Sequence, residues 1–235
     1  MTRFRSRYAA RLLQICERDT CPGVNSLQSA IRVFGEQIRS GGFLPNTLRE
    51  RIRSLLYDRN VSEMPDRQYL EQSIIPFLAD TAVRNVLFVG CRSYTSHYPR
   101  LFEEQDMALF TCDINPFSER YGSPGRHRTI DACALSPQDF PVAFDAVVFS
   151  GVIGFGINTV PQIESAAVAL ASLLAPGNLL VQGWNTDRSI DPLANPVWQS
   201  LFVRTRKAGM ARRVSFPGAT HVFDILERRN APVTA

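Results

Sequence analysis

The stretch Asn85-Val86-Leu87-Phe88-Val89-Gly90-Cys91-Arg92-Ser93-Tyr94 decides the reading of the fold. Its Val-rich apolar run, with an interior Phe, reads as a fully buried strand that stops at a glycine. The next segment, 96–105, can be helical, and a second apolar run from Met107 to Cys112 ends at Asp113. Strand, glycine turn, helix and second strand make one βαβ unit. In a parallel sheet the turn at Gly90 lies at the carboxyl edge, where backbone can approach a ligand. An acid about 20 residues past such a turn is placed to accept hydrogen bonds from ribose hydroxyls. A plain buried βαβ unit would show the same run and the same glycine. The two readings part only on the rest of the chain.

From Asn85 onward, short apolar runs alternate with helical segments, the pattern of an α/β parallel sheet. The runs are 85–90, 107–113, a weak one at 126–131, 144–150, 178–184, 211–216 and 221–228. The strongest helix lies between Pro161 and Leu174, with Ile163, Ala166, Ala167, Leu170, Leu173 and Leu174 inward; Pro176-Gly177 is expected to end it. Pro217-Gly218-Ala219-Thr220 reads as a turn that pairs the last two strands directly.

Residues 1 to about 80 read as four helices. Phe4, Tyr8, Leu12 and Ile15 recur at helical spacing, and Ser26 can cap a second helix carrying Leu27, Ile31, Phe34 and Ile38. A third runs from Pro45 or Asn46 to Tyr57, and a fourth starts near Asp66 and passes Tyr69, Leu70, Ile74 and Leu78, with a kink expected near its end at Pro76. The expected division is a helical N-terminal extension over 1–82 and an α/β domain over 83–235.

Composition narrows the class. The chain has 235 residues, 45% hydrophobic and 20% charged, as in a soluble domain with a real core. No apolar stretch nears the roughly 20 residues that span a bilayer. Five cysteines, at 16, 21, 91, 112 and 133, show no CxxC spacing and read as small buried side chains in a reducing, cytoplasmic compartment. The net charge of +4 comes from 25 Arg and one Lys, Lys207, against 22 acids. Eleven of the arginines precede residue 60, which would suit an acidic or nucleic-acid partner, but a solvated helical face explains them as well.

The order of elements resembles the class I S-adenosylmethionine-dependent methyltransferases over about residues 83–229. Val86 to Cys91 sits where that family has its glycine-rich first motif, and Cys112-Asp113-Ile114-Asn115 matches the second-strand acid. Thr129-Ile130-Asp131-Ala132 is similar to the adenine-contacting segment, Phe144 to Gly151 to the fourth strand, and Leu173 to Leu180 to the "LxPGGxL" turn. The resemblance implies a Rossmann-like, seven-stranded, mostly parallel sheet with an antiparallel terminal hairpin. It also implies S-adenosylmethionine as cofactor, with Asp113 and Ile114 at the ribose, Asp131 and Ala132 at the adenine, and Gly90, Cys91, Arg92 and Tyr94 at the amino-acid end. Ser150 and Gly151 would lie beside it.

The departures are specific. Phe88 stands where the family has an acid that helps anchor the amino-acid end, and Arg92 and Tyr94 replace two further glycines. Side chains there restrict how closely the loop can approach a ligand.

Methyl transfer from a sulfonium is an in-line displacement that needs positioning, a base at most, and no metal. Candidate bases are His97, beside the first-strand loop, and His221, at the start of the last strand; exposed and structural histidines are the plain alternatives. Tyr98, Trp184 and Asn185 are the candidates for substrate contact. The resulting expectation is methyl transfer to a small-molecule acceptor, with a possible homodimer and without nucleic acid or membrane. The alternatives are a catalytically lapsed assembly subunit, and an RNA methyltransferase using the Arg-rich helices.

Overall fold

The computed structural model describes Val61 and residues 63–205, 207 and 209–230. The chain divides into two units, Met1–Tyr57 and Asp58–Ala235, and the description concerns the second. The three helices expected before residue 58, and the arginine-rich surface there, lie outside the described residues.

Eight strands build one sheet: β1 (Asn85–Val89), β2 (Ala108–Asp113), β3 (His127–Thr129), β4 (Phe144–Ser150), β5 (Leu174–Asn185), β6 (Phe202–Arg204), β7 (Arg213–Ser215) and β8 (His221–Arg228). Their order is β3-β2-β1-β4-β5-β8-β6, with β7 also on β8. The first five are mutually parallel. Strand β8 runs antiparallel between β5 and the edge. Pairing runs from Phe202↔Arg228 to Arg204↔Leu226 in β6 and from Arg213↔Asp224 to Ser215↔Val222 in β7. The two short strands therefore lie end to end along one side of β8 and fill one position, so the sheet has the expected seven. Strand β6, three residues long, carries too little periodicity to be read from sequence.

Strand side chains alternate between two packed faces. On one, Leu87, Val89, Phe149, Leu180 and Leu226 meet Ile163, Ala166 and Leu170 of α4 (Val160–Leu173) and Trp198 of α5 (Pro196–Leu201). Thr159 and Gln162 form a capping box at the start of α4. On the other face, Val86, Phe88, Val148, Val181 and Phe223 meet Leu70, Ile74, Phe77 and Leu78, with Tyr98 and Phe102 of α3 (Tyr98–Glu103). Each fully buried Leu or Phe contributes about 1.5–3 kcal/mol. Sandwiching by helices on both faces is what aligns the carboxyl ends of β1, β2 and β4 at one edge. Among the described residues, no helix is long and apolar enough to cross a membrane.

Two local expectations change. The fourth expected helix is α1 (Pro65–Tyr69), a π-helical turn (Leu70–Ile74) and α2 (Ile75–Asp80) in direct succession. Pro76 has no N–H to donate and its ring crowds the preceding turn, and the wider π turn lies directly before it, where that misfit falls. Pro176-Gly177 does not separate α4 from β5. The strand begins at Leu174, and its pairing jumps from Phe144↔Leu174 to Ala146↔Leu179, so Pro176-Gly177 sits in a bulge within the strand.

Candidate active site

The carboxyl ends of β1, β2 and β4 enclose a cavity of about 210 Å³. Gly90, Arg92 and Tyr94 line it after β1, Asp113 and Ile114 after β2, Asp131 and Ala132 after β3, and Ser150 and Gly151 after β4. Nine of the ten residues assigned to a cofactor thus share one cavity; Cys91, 1% exposed, does not line it. A larger open groove of about 560 Å³ lies between Gly177 and Asn230 and is lined by none of the residues assigned to the cofactor.

Asp113 is the centre of the cavity's hydrogen bonding. Its Oδ2 accepts the Cys91 N–H at 2.8 Å and Arg92 Nη1 at 2.9 Å, and its Oδ1 accepts the Asn115 N–H at 2.8 Å. A carboxylate offers about four acceptor positions. Three are used, which leaves one on Oδ1, and a second becomes available when Arg92 swings away. Arg92 Nη1 also donates to the Cys91 carbonyl at 2.8 Å, and with its side chain 53% exposed the movement exchanges these contacts for water. Gly90, at φ +93°, lets the chain turn over the strand end, where a Cβ would press on Val152 at 3.2 Å.

The remaining lining suits a nucleoside. Ile114, 66% exposed, offers an apolar plate beside Asp113. Asp131 is exposed and caps a short 3-10 turn by accepting the Cys133 N–H at 2.9 Å through Oδ1. Burial pushes the Cys91 thiol up to about 12, followed by the Asp113 charge, and burial raises Cys112 and Cys133 as well. None of these thiols is poised as a nucleophile.

Phe88 replaces the family's acid with a buried ring, packed edge-on to Tyr98 at 5.2 Å. Tyr98 is likewise buried and does not line the cavity. His97 is exposed and reaches Glu71 at 3.1 Å, outside the cavity. Trp184 turns to the α4 side, where its Nε1 donates to Asp224 at 3.0 Å.

His221 is buried behind the β4 end. Its Nδ1 lies 3.1 Å from Asn185 Oδ1, and Asn185 Nδ2 donates to Thr220 Oγ1 at 2.9 Å. Nδ1 therefore carries the proton, and Nε2 faces Ser150 Oγ at 3.5 Å. Burial, then the Arg67 charge, lowers His221 to about 3, so it is neutral at pH 7. A side chain at Gly183 would collide with both Ser150 Oγ and His221 Nε2, and its glycine makes room for that pair.

Sequence reasoning missed Asp66 and Arg67. They sit at the start of α1, and the Arg67 guanidinium lies over the Tyr94 ring at 5.3 Å. A helix of helical periodicity gives no signal that its first turn reaches a strand end in another part of the chain. Two adjacent opposite charges just before an apolar run were the available hint.

No protein-family model matches the chain, and no curated protein matches it. Solved structures do. The N-methyltransferase NodS from Bradyrhizobium japonicum WM9 matches at 15% identity with a TM-score of 0.53, over 72% of this chain and 99% of that one. Its complex with S-adenosyl-L-homocysteine matches at 16% identity with a TM-score of 0.56, over 73% and 91%. StiE O-MT residues 961–1257 match at 18% identity with a TM-score of 0.50, over 76% and 81%. With the strand order and the cavity at the β1–β2 ends, these likenesses establish that the chain has the class I methyltransferase fold.

Proposed function

We propose that this chain transfers a methyl group from S-adenosylmethionine to a small-molecule acceptor. The observation that carries the reading is the meeting of separate motifs in one cavity: the turn after β1, the Asp113-Ile114 pair and the Asp131-Ala132 pair all line it. The residues fit the cofactor. Asp113 keeps one acceptor position for a ribose hydroxyl and gains a second when Arg92 leaves. Ile114 and Ala132 offer apolar contact to a purine, and the second carboxylate oxygen of Asp131 can accept from an exocyclic amine. The likeness to NodS, an N-methyltransferase whose structure was solved in complex with S-adenosyl-L-homocysteine, supports the same reading.

When bound, the cofactor supplies an electrophilic methyl on a sulfonium. The chain's task is to hold the acceptor in line with it and exclude water. Ser150 and Gly151 end β4 beside the cavity, and His221 Nε2 lies behind Ser150 as a hydrogen-bond acceptor. A histidine held at about 3 is a weak base and will not deprotonate an aliphatic alcohol or an ammonium. His221 therefore serves to position Ser150, and an acceptor such as a neutral amine or an acidic oxygen needs no proton removed by it.

One observation favours a second reading, a lapsed enzyme serving as an assembly subunit: Arg92 occupies Asp113, the residue a ribose would need. Labelled methyl transfer separates the readings. The purified chain is given S-adenosylmethionine carrying a labelled methyl, with a metabolite extract in one reaction and total RNA in another. We expect label in the small-molecule fraction. Label confined to RNA would contradict the acceptor class, and none in either would favour the lapsed subunit.

A further inference from the structure

Two side chains on α1 have no part in the mechanism above. Asp66 is 2% exposed and Arg67 8% exposed, and Arg67 Nε stands 3.5 Å from Asp66 Oδ2. Among the described residues neither Asp66 Oδ1 nor Arg67 Nε has a hydrogen-bond partner, and the buried Tyr98 hydroxyl has none either. A buried ion pair offsets its desolvation only when its remaining donors and acceptors are satisfied. Arg213 and Asp224 of the same protein meet that condition, with two contacts of 2.7 Å. Asp66 and Arg67 do not, so as a purely structural pair they are poorly built.

Their location explains the shortfall. Tyr94 and Gly151 line the cavity, and Arg67 lies against both. Its guanidinium packs on the Tyr94 ring, and its Nη2 is 3.6 Å from where a Gly151 Cβ would stand. A side chain at 151 would close that wall; glycine, at φ +69°, leaves it thin. Burial works against the Arg67 charge, but Tyr94, Tyr98 and Asp66 outweigh it and hold the group above its ordinary value, so it stays a cation. Asp66 Oδ2 is 4.0 Å from the neutral His221. Asp66 Oδ1 and Arg67 Nε, each without a hydrogen-bond partner among the described residues, thus stand side by side next to Tyr94 and Gly151 of the lining.

A ligand with a carboxylate alone would satisfy Arg67 and be repelled by Asp66. A simple cation would do the reverse. A group carrying both charges on adjacent atoms matches both. We infer that Asp66 and Arg67 form a receptor for an α-amino-acid zwitterion, with the ammonium on Asp66 Oδ1 and the carboxylate on Arg67. Tyr98, next to Arg67, offers a further hydroxyl to the carboxylate. The inference rests on the proposed S-adenosylmethionine site, whose amino-acid end carries this group. There the pair takes over the anchoring that Phe88 cannot provide. A free amino-acid acceptor presents the same chemistry.

Calorimetry on the full chain tests the inference and separates the two sources. The probes are S-adenosylhomocysteine and 5′-methylthioadenosine, which keeps the nucleoside and thioether but lacks the amino-acid end. The wild type is expected to prefer S-adenosylhomocysteine by about 100-fold, the weight of two charge-assisted hydrogen bonds. In D66N/R67M both charges are removed together, so neither is left buried alone. That variant should bind the two probes alike and keep the wild-type affinity for methylthioadenosine, and its thermal midpoint checks folding. In a second arm the twenty L-amino acids are titrated into protein saturated with S-adenosylhomocysteine. One that binds wild type but not the variant, with no probe preference in the first arm, assigns the receptor to the acceptor. If both nucleosides bind equally and neither arm distinguishes the variant, the receptor is wrong while the cofactor site stands. If neither nucleoside binds the wild type, the cofactor reading fails and the inference with it.

Discussion

Asp113 and Asp224 are both buried carboxylates paired with arginine, at opposite regions of one sheet, and they differ in every detail that matters. Asp224 on β8 is fully buried, receives two 2.7 Å contacts from Arg213 and one from Trp184 at 3.0 Å, and has Arg204 at 3.5 Å. Arg213 is itself held by Asp191 at 2.7 Å, which ties the loop after β5 to the edge strand. Asp113 at the end of β2 holds two backbone N–H groups and one half-exposed arginine, and it keeps an acceptor position open. The first arrangement is closed on all sides and structural. The second is complete enough to stay charged and open enough to receive a ligand. A buried acid–arginine pair therefore says little about role until its remaining lone pairs are counted.

The contrast predicts different failures. Asp224→Ala leaves Arg213 and Trp184 without their acceptor in the core and should cost about 3–5 kcal/mol in urea unfolding. A loss below 1 kcal/mol would show that the β8 pair is not structural. Asp113→Ala leaves one buried and one partly buried backbone N–H without an acceptor and should cost about 1–3 kcal/mol of stability. Its larger signature is functional: binding of S-adenosylhomocysteine should weaken about 30-fold or more, the loss of charge-assisted hydrogen bonds to a hydroxyl pair. Unchanged affinity in a folded Asp113→Ala protein would remove that residue from the site.

His221 stands between the two regions, on β8 but against Ser150 of the cavity, with Asp66 and Arg67 facing it from α1. Its folded value of about 3 is far below its ordinary one. Between those values the unfolded chain binds a proton that the native state excludes, so acid favours unfolding. The contribution is fully present above about pH 6.5 and is lost as pH falls toward 3, amounting to about 2 kcal/mol between pH 7 and 5. Urea midpoints at those two pH values should converge in His221→Gln; an unaltered pH dependence in the variant would place the titration elsewhere. The smallest effect belongs to Arg92. Removing an exposed partner is worth about 0–1 kcal/mol, so Arg92→Ala should tighten S-adenosylhomocysteine by up to about 5-fold. Weaker binding would make Arg92 a ligand contact instead of a competitor for Asp113.

The parts of this site that lie at the ends of parallel strands were legible in the sequence. Gly90 and Asp113 follow clear apolar runs and Asp131 a weak one, and parallel pairing brings such run-ends to one edge regardless of what connects them. The parallel α/β pattern was legible in the alternation of apolar runs and helical segments, and the β7–β8 pairing in the Pro217 to Thr220 turn, while the order of strands was not. What escaped depended on packing between remote elements. Asp66 and Arg67 come to lie against Tyr94, Gly151 and His221 because α1 packs beside β8, and nothing in their local spacing encodes that. Tyr98 and Trp184 follow strand ends as expected, but each points to a packed face, because facing in or out depends on neighbours the sequence does not name. Strand β6 and the bulge at Pro176-Gly177 exist only through hydrogen bonds to β8 and β4.

The central claim is that the cavity at the β1–β2–β4 ends binds a nucleoside sulfonium or thioether. Calorimetric titration of the purified chain with S-adenosylmethionine and S-adenosylhomocysteine, with NADH as control, tests it directly. Micromolar binding of the first two and none of NADH is the predicted result, while a folded protein that ignores both sulfur compounds would contradict the account.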